Sequence, residues 1–87
     1  MERTTNRELD SLLLLWTRAV NGKVAKHYND VQGYHFEHAY GQPRLVKVET
    51  MSGGVSDISP RLSKGDMARW LRAGISAIEQ REDNTNE

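Results

Sequence analysis

The chain has 87 residues, with twelve basic and twelve acidic side chains and no cysteine. This length supports one hydrophobic core, and the balanced charge argues against the strongly basic surface typical of nucleic-acid-binding proteins and the acidic surface of nucleic-acid mimics. Disulfides and thiolate metal sites are excluded, which fits a protein of the reducing cytoplasm.

No segment has the composition of a membrane span. The longest apolar run covers residues 12–16, far short of the ~20 apolar residues that cross a bilayer. Residues 1–5 lack the basic region, the apolar stretch and the cleavage site of a signal peptide. We therefore expect a soluble cytoplasmic protein without membrane contact.

The first predicted element is a helix over residues 5–28. Thr5 and Glu8 have the spacing of a capping box. Side chains then recur at helical spacing on one mainly apolar stripe, which His27 closes as a packed residue rather than a ligand. The stripe comprises Leu9, Leu12, Leu13, Trp16, Ala19, Val20, Val24 and His27. A break at Asn21 and Gly22 is the alternative, but Gly22 falls on the polar side, where glycine costs only about 1 kcal/mol relative to alanine.

Residues 34–40 alternate in the manner of a strand. One face carries Tyr34, Phe36, His38 and Tyr40, which we expect to point inward, and the other face carries His35, Glu37 and Ala39. Side chains three positions apart lie on opposite faces of a strand, so His35 and His38 cannot share a metal ion. The pattern predicts a half-buried strand rather than a metal or catalytic site.

Two further strands are predicted after this one. A turn at residues 41–43 leads into a strand over residues 44–50, with Val46 and Val48 inward and Lys47 and Glu49 outward. The glycines at residues 53–54 form a second turn, and residues 55–59 form a short third strand that Pro60 ends. The three strands are expected to form an antiparallel meander.

A second helix begins after Ser63. Ser63 and Asp66 form a capping box, and Leu62 can pack against Met67 across the first turn. We expect a buried stripe of Met67, Trp70, Leu71, Gly74, Ala77 and Ile78. Residues 81–87 contain no apolar side chain and are expected to form a disordered polar tail.

The order of elements predicts the fold class. A helix, a three-stranded antiparallel meander and a second helix give an α+β domain of the form α-β-β-β-α over residues 1–80. Each helix has one apolar stripe and the sheet has one apolar face. Two layers, with both helices on that face, bury all of this surface.

No pattern of catalytic residues is present. The chain lacks a zinc-protease helix motif, a glycine-flanked nucleophile and a phosphate-binding loop. We therefore expect no enzyme activity, no cofactor and no small-molecule substrate.

Two groups of residues are candidates for contact with a macromolecule. Leu14, Leu15 and Arg18 lie away from the centre of the first apolar stripe, which predicts contact with a protein partner or with a second copy in a homodimer, or else two ordinary surface leucines. The other group is a basic patch near the start of the second helix, where an anion could bind. It comprises Arg61, Lys64, Arg69 and Arg72; Asp57 and Asp66 lie nearby, and the alternative is a solvated helix face.

The run from Gly53 to Leu71 (GGVSDISPRLSKGDMARWL), the small size, the missing cysteine and the helix–meander–helix order resemble the small one-domain α/β proteins of phages and other mobile elements. That class includes inhibitors of host defence such as anti-CRISPR proteins, and it has no shared catalytic motif. The resemblance implies a non-enzymatic binding protein that occludes or bridges a macromolecular partner. A small nucleic-acid-binding accessory protein that uses the basic patch is the alternative.

Overall fold

A computed structural model gives the fold of residues 4–85, with side chains described through residue 80. Two helices and four strands follow one another in the order α1, β1, β2, β3, β4 and α2. Their bounds are Asn6–Ala19 for α1, Lys23–Val24 for β1, Gly33–Ala39 for β2, Gln42–Val48 for β3, Val55–Asp57 for β4 and Lys64–Thr85 for α2.

Helix α1 begins where the capping residue predicts and ends earlier than expected. The Thr5 hydroxyl accepts a hydrogen bond from the Glu8 backbone N–H at 3.2 Å. After Ala19 the helix stops, because Asn21 takes a left-handed conformation with φ of 58°. The prediction of one helix over residues 5–28 is therefore wrong, and the alternative break at Asn21 and Gly22 is what the structure adopts.

Gly22 allows the chain to leave α1 close to the sheet. A Cβ atom at this position would lie 2.7 Å from the ring of Tyr34. The Gly22 N–H also donates to the Thr17 carbonyl at 2.7 Å. The tertiary contact with Tyr34 thus favours glycine and a turn at the point where the apolar periodicity alone favours a longer helix.

The sheet has four strands in the order β1-β2-β3-β4. Strand β1 is parallel to β2, with Lys23 opposite Gly33. The β2–β3 and β3–β4 pairs are antiparallel. The predicted three-stranded meander corresponds to β2, β3 and β4. The prediction missed β1, because it assigned residues 23–24 to the first helix, and the parallel pairing of β1 with β2 makes the sheet mixed.

The hairpin between β2 and β3 turns at Tyr40 and Gly41, both with positive φ, as in a two-residue type I′ turn. His38 is exposed and Tyr40 is 100% exposed. The expectation that these two side chains point inward is wrong. Strand β2 packs against the helices only as far as Phe36, and the hairpin extends beyond the helices into solvent.

The burial predicted for Val46 and Val48 is confirmed, but they lie on the face of the sheet that points away from the helices. Phe36 lies opposite Leu45 in the register, and both contribute to the core beneath the helices. Val46 and Val48 are buried, but strand alternation places them on the other face of the sheet. Lys47 lies on the helix side, its ammonium group 5.7 Å from the centre of the Tyr34 ring.

The core lies between the sheet and a layer formed by both helices. Its buried members are Leu9, Leu13, Trp16, Leu45, Met67, Ala68 and Leu71. A Cβ at Gly65 would lie 3.9 Å from the Thr4 hydroxyl, and a Cβ at Gly74 would lie 3.1 Å from the Trp16 indole nitrogen. The two helices therefore run in the same direction, side by side.

Helix α2 begins as predicted. The Ser63 hydroxyl accepts a hydrogen bond from the Asp66 N–H at 3.2 Å, and the Ser63 carbonyl accepts one from the Met67 N–H at 2.8 Å. Ala77, expected on the buried stripe, is exposed. The helix continues to Thr85 and so enters the segment predicted as a polar tail, whose residues 86–87 lie outside the described range.

Neither helix in the described part of the chain is long and apolar enough to cross a membrane.

Adjacent leucines of α1 test the helix phase. Leu13 is buried in the core, whereas Leu14 is 47% exposed. We expect Leu13→Ala to lower the free energy of unfolding by about 2–4 kcal/mol through lost burial and a cavity. The matched change Leu14→Ala removes the same atoms and should cost less than about 1 kcal/mol. Denaturant titration followed by circular dichroism measures both, and equal losses would contradict the described packing.

Candidate binding surfaces

A shallow groove of about 310 Å³ lies between the two helices. We call it the helix groove; it is lined by Leu15, Arg18 and Ala19 of α1 and by Ile75, Ile78 and Glu79 of α2. Leu15 is 50% exposed, and Ala19, Ile75 and Ile78 in the same groove are also aliphatic. The groove is thus an apolar surface that water reaches.

The helix groove contains two of the three residues predicted to bind a partner. Leu15 and Arg18 come together in the helix groove. Leu14 is also half exposed, but it lies about 100° around α1 from Leu15 and does not line the groove. The groove therefore includes two of the three residues, and Leu14 lies beside it, one helical turn before Arg18.

Arg61 is committed to a structural role. Its Nη1 donates to the backbone carbonyls of Glu37 at 3.1 Å and Gln42 at 2.8 Å. Its Nη2 donates to the Glu37 carboxylate at 3.0 Å. These bonds fasten the segment before α2 to the hairpin of β2 and β3, so the Arg61 guanidinium has little left to offer a phosphate.

The other members of the predicted basic patch lie along the start of α2. Lys64 is half-buried, and Arg69 and Arg72 are exposed. Arg69 lies 3.4 Å from the carboxylate of Asp66, one turn earlier. With Arg61 engaged and Arg69 partly neutralised, the patch is weaker than the sequence indicates.

Arg61 belongs to a network of charges that spans three strands. The Glu37 carboxylate accepts from Arg44 at 2.7 Å, and Arg44 also pairs with Asp57 at 3.0 Å. The hydrogen bond from Arg44 holds the pKa of Glu37 below its ordinary value; desolvation opposes this effect, and Arg61 adds to it. The network joins β2, β3 and β4 to the chain that enters α2.

The structure also contains an open cleft of about 690 Å³ that was not predicted from the sequence. We call it the loop cleft; it lies between the connection from β1 to β2 and the turn after β3. Its lining residues are Lys23, Val24, Lys26, His27, Asn29, Asp30 and Met51.

One large exposed side chain lines the loop cleft, and another lies just outside its lining. Met51 lines the cleft and is 74% exposed; Tyr28 lies between the lining residues His27 and Asn29 in the sequence and is 69% exposed. The Tyr28 ring passes close to Gly53, where a Cβ would lie 3.1 Å from the ring. Met51 belongs to the turn that contains Gly53 and Tyr28 packs against it, so the two exposed side chains lie near the same turn; we call the pair the apolar patch.

Asp30 shapes the cleft. Its carboxylate accepts from the Lys23 ammonium at 2.7 Å and from the Lys26 backbone N–H at 3.1 Å. The hydrogen bond from Lys23, followed by that from the Lys26 backbone, holds the pKa of Asp30 below its ordinary value. The charge of Lys23 is thereby paired with that of Asp30. The Lys26 side chain pairs with no carboxylate among the described side chains.

The register of β2 confirms that its two histidines face opposite ways, since His35 lies opposite Val46 and His38 lies opposite Pro43. Within residues 4–80, no group of three histidine, aspartate or glutamate side chains is placed to hold a metal ion.

The charge network predicts a change of stability with pH. Because the pKa of Glu37 is lower in the folded state, the contribution of Glu37 is present above the unfolded-state pKa and is lost as the pH falls through the folded-state value. We expect Glu37→Gln to be less stable than the parent at pH 7, by no more than about 1 kcal/mol per exposed ion pair lost. This difference should shrink as the pH falls below about 4.3, the ordinary pKa of glutamate.

Denaturant titrations at pH 7 and pH 3 measure this difference. Asp10→Asn is the control, because Asp10 is exposed and forms no ion pair among the described side chains. A Glu37→Gln deficit that stays the same at both pH values would contradict the network's role.

Comparisons with known proteins find no family model, no curated protein and no solved structure that matches this chain, so its function is inferred from these surfaces.

Proposed function

We propose that the protein is a non-enzymatic binding protein that occludes or bridges a protein partner, and that the partner docks in the loop cleft. The observation that carries this proposal is the exposure of Tyr28 and Met51 near the same turn, at the edge of the loop cleft. Large apolar side chains grouped on the surface of a small domain are typical of interaction sites. Tyrosine and methionine are among the residues enriched at interfaces.

The chemistry of the cleft indicates what kind of segment would fit. Tyr28 offers a rigid ring with a hydroxyl, and Met51 offers a flexible side chain that adapts to an apolar anchor. Lys26 and His27 border the same surface. A partner segment with an apolar anchor flanked by acidic residues would complement both the patch and its basic edge.

A protein partner fits these surfaces better than a nucleic acid does. Binding along a phosphate backbone requires several cations that are free to displace counterions. Here Lys23 is paired with Asp30 and Arg61 with Glu37, and the net charge of the chain is zero. An exposed tyrosine such as Tyr28 can also stack on a nucleic-acid base. The test must therefore distinguish a nucleic-acid partner from a protein partner.

The resemblance of the run over residues 53–71 to small phage proteins adds a starting point. Because some of those proteins inhibit host defence, a host defence complex is the first partner to test. Occlusion also suits a domain of this size, because a standard interface of about 800 Å² per partner is within reach of its 6161 Å² surface.

Two tyrosines provide a matched test of this proposal. Tyr28 packs against the turn that borders the loop cleft, whereas Tyr40 is fully exposed at the hairpin of β2 and β3. We expect Tyr28→Ala to weaken capture of the host partner at least about tenfold, as for an interface anchor, and Tyr40→Ala to leave it unchanged. Met51→Glu should act like Tyr28→Ala.

Affinity capture from a host lysate, with and without nuclease, gives the measurement. Circular dichroism first shows that each variant is folded. Equal capture by the Tyr28→Ala and Tyr40→Ala variants would overturn the assignment of the cleft. Capture that is lost on nuclease treatment would favour the nucleic-acid alternative.

A further inference from the structure

The helix groove carries opposite charges on its two rims. Arg18 lies on the α1 side and Glu79 on the α2 side, with the aliphatic lining between them. Both charged side chains are exposed, and neither forms an ion pair among the described residues. The groove therefore presents an apolar strip with a cation on one side and an anion on the other, neither of them paired within the side chains described, residues 4–80.

Such a surface is complementary to itself. Helices α1 and α2 run in the same direction, and Arg18 and Glu79 line the same short groove, so they lie at a similar height along it. A two-fold axis along the groove would place α1 of one copy over α2 of the other. Arg18 would then meet Glu79 of the partner subunit, and the same pair would form a second time across the axis.

We propose that a second copy of this chain occupies the helix groove and forms a two-fold symmetric dimer. Leu15 of each copy then packs against the isoleucines of the other copy, which removes its exposed surface from water. A different protein in this groove would need both charges in the reverse arrangement, whereas a second copy supplies them by symmetry. Association would also stabilise a domain whose own core is small.

The dimer leaves the loop cleft accessible, because the two surfaces share no residue. A dimer would carry two clefts and could hold two partner molecules, or two sites on one partner, with the higher effective concentration that bivalency gives. Dimer formation itself does not depend on the partner proposed for the cleft.

Charge reversal tests the symmetry directly with the purified protein. We expect the parent chain to dimerise in sedimentation equilibrium, and R18E and E79R each to weaken the dimer at least tenfold, because each variant alone brings like charges together twice. An equimolar mixture of R18E and E79R should dimerise again, since each variant supplies the charge that the other lacks. The double variant R18E/E79R should also dimerise.

Two leucine variants provide a second, independent measurement. Leu15→Gln should weaken the dimer strongly, while Leu14→Gln, on a similarly exposed leucine outside the groove, should leave it intact and adds no charge beside Arg18. Circular dichroism on every variant confirms folding before sedimentation.

A parent chain that stays monomeric at every concentration tested would overturn the proposal. So would a mixture of R18E and E79R that associates no better than either variant alone. Tyr28→Ala should dimerise like the parent, so a failure of the cleft proposal and a failure of the dimer give different results.

Discussion

The packing of Trp16 is the contact on which the arrangement of the whole domain depends. Its indole meets the Tyr34 ring edge to face at a centroid distance of 5.0 Å and lies 5.9 Å from the Trp70 ring. Gly74 allows this approach, since a Cβ there would lie 3.1 Å from the indole nitrogen. One side chain of α1 thus contacts both the sheet and α2. Because so few apolar residues are buried in a chain of this size, each such contact is a large share of the total stability.

Both candidate surfaces follow from the position of α1 against the sheet and α2. The helix groove exists because α1 and α2 lie side by side while their outer aliphatic residues remain uncovered. The loop cleft exists because the chain leaves α1 at Asn21 and crosses to β1 instead of continuing as a helix. Asp30 then holds the connection from β1 to β2 in place through Lys23. The surfaces differ in their construction: the groove is formed by rigid helices, and the cleft by loops that one carboxylate organises.

The sequence predicts what is decided locally and misses what is decided by tertiary contacts. The caps at Thr5 and Ser63 depend on residues three positions away, so they could be recognised directly. The end of α1 could not, because a glycine costs only about 1 kcal/mol in a helix and the contact with Tyr34 decides the outcome. Strand β1 has two residues and therefore no periodicity. On β3 the apolar residues occupy both faces, so alternation could not choose between them. Leu15 and Arg18 could be selected as exposed residues of a helix, whereas the loop cleft required knowledge of where the helix ends.

The parallel packing of α1 and α2 has a consequence for how the protein is made. Leu9 and Leu13 lie near the beginning of the chain, and their core neighbours Met67 and Leu71 lie near its end. During synthesis the part of the α1 stripe that packs against Met67 and Leu71 stays uncovered until α2 has been made. Contacts between residues so far apart in sequence also slow folding, because the chain between them must be ordered first. A chain in which α2 has not yet been made therefore has only the sheet for α1 to pack against, and the rest of the apolar stripe of α1 is exposed.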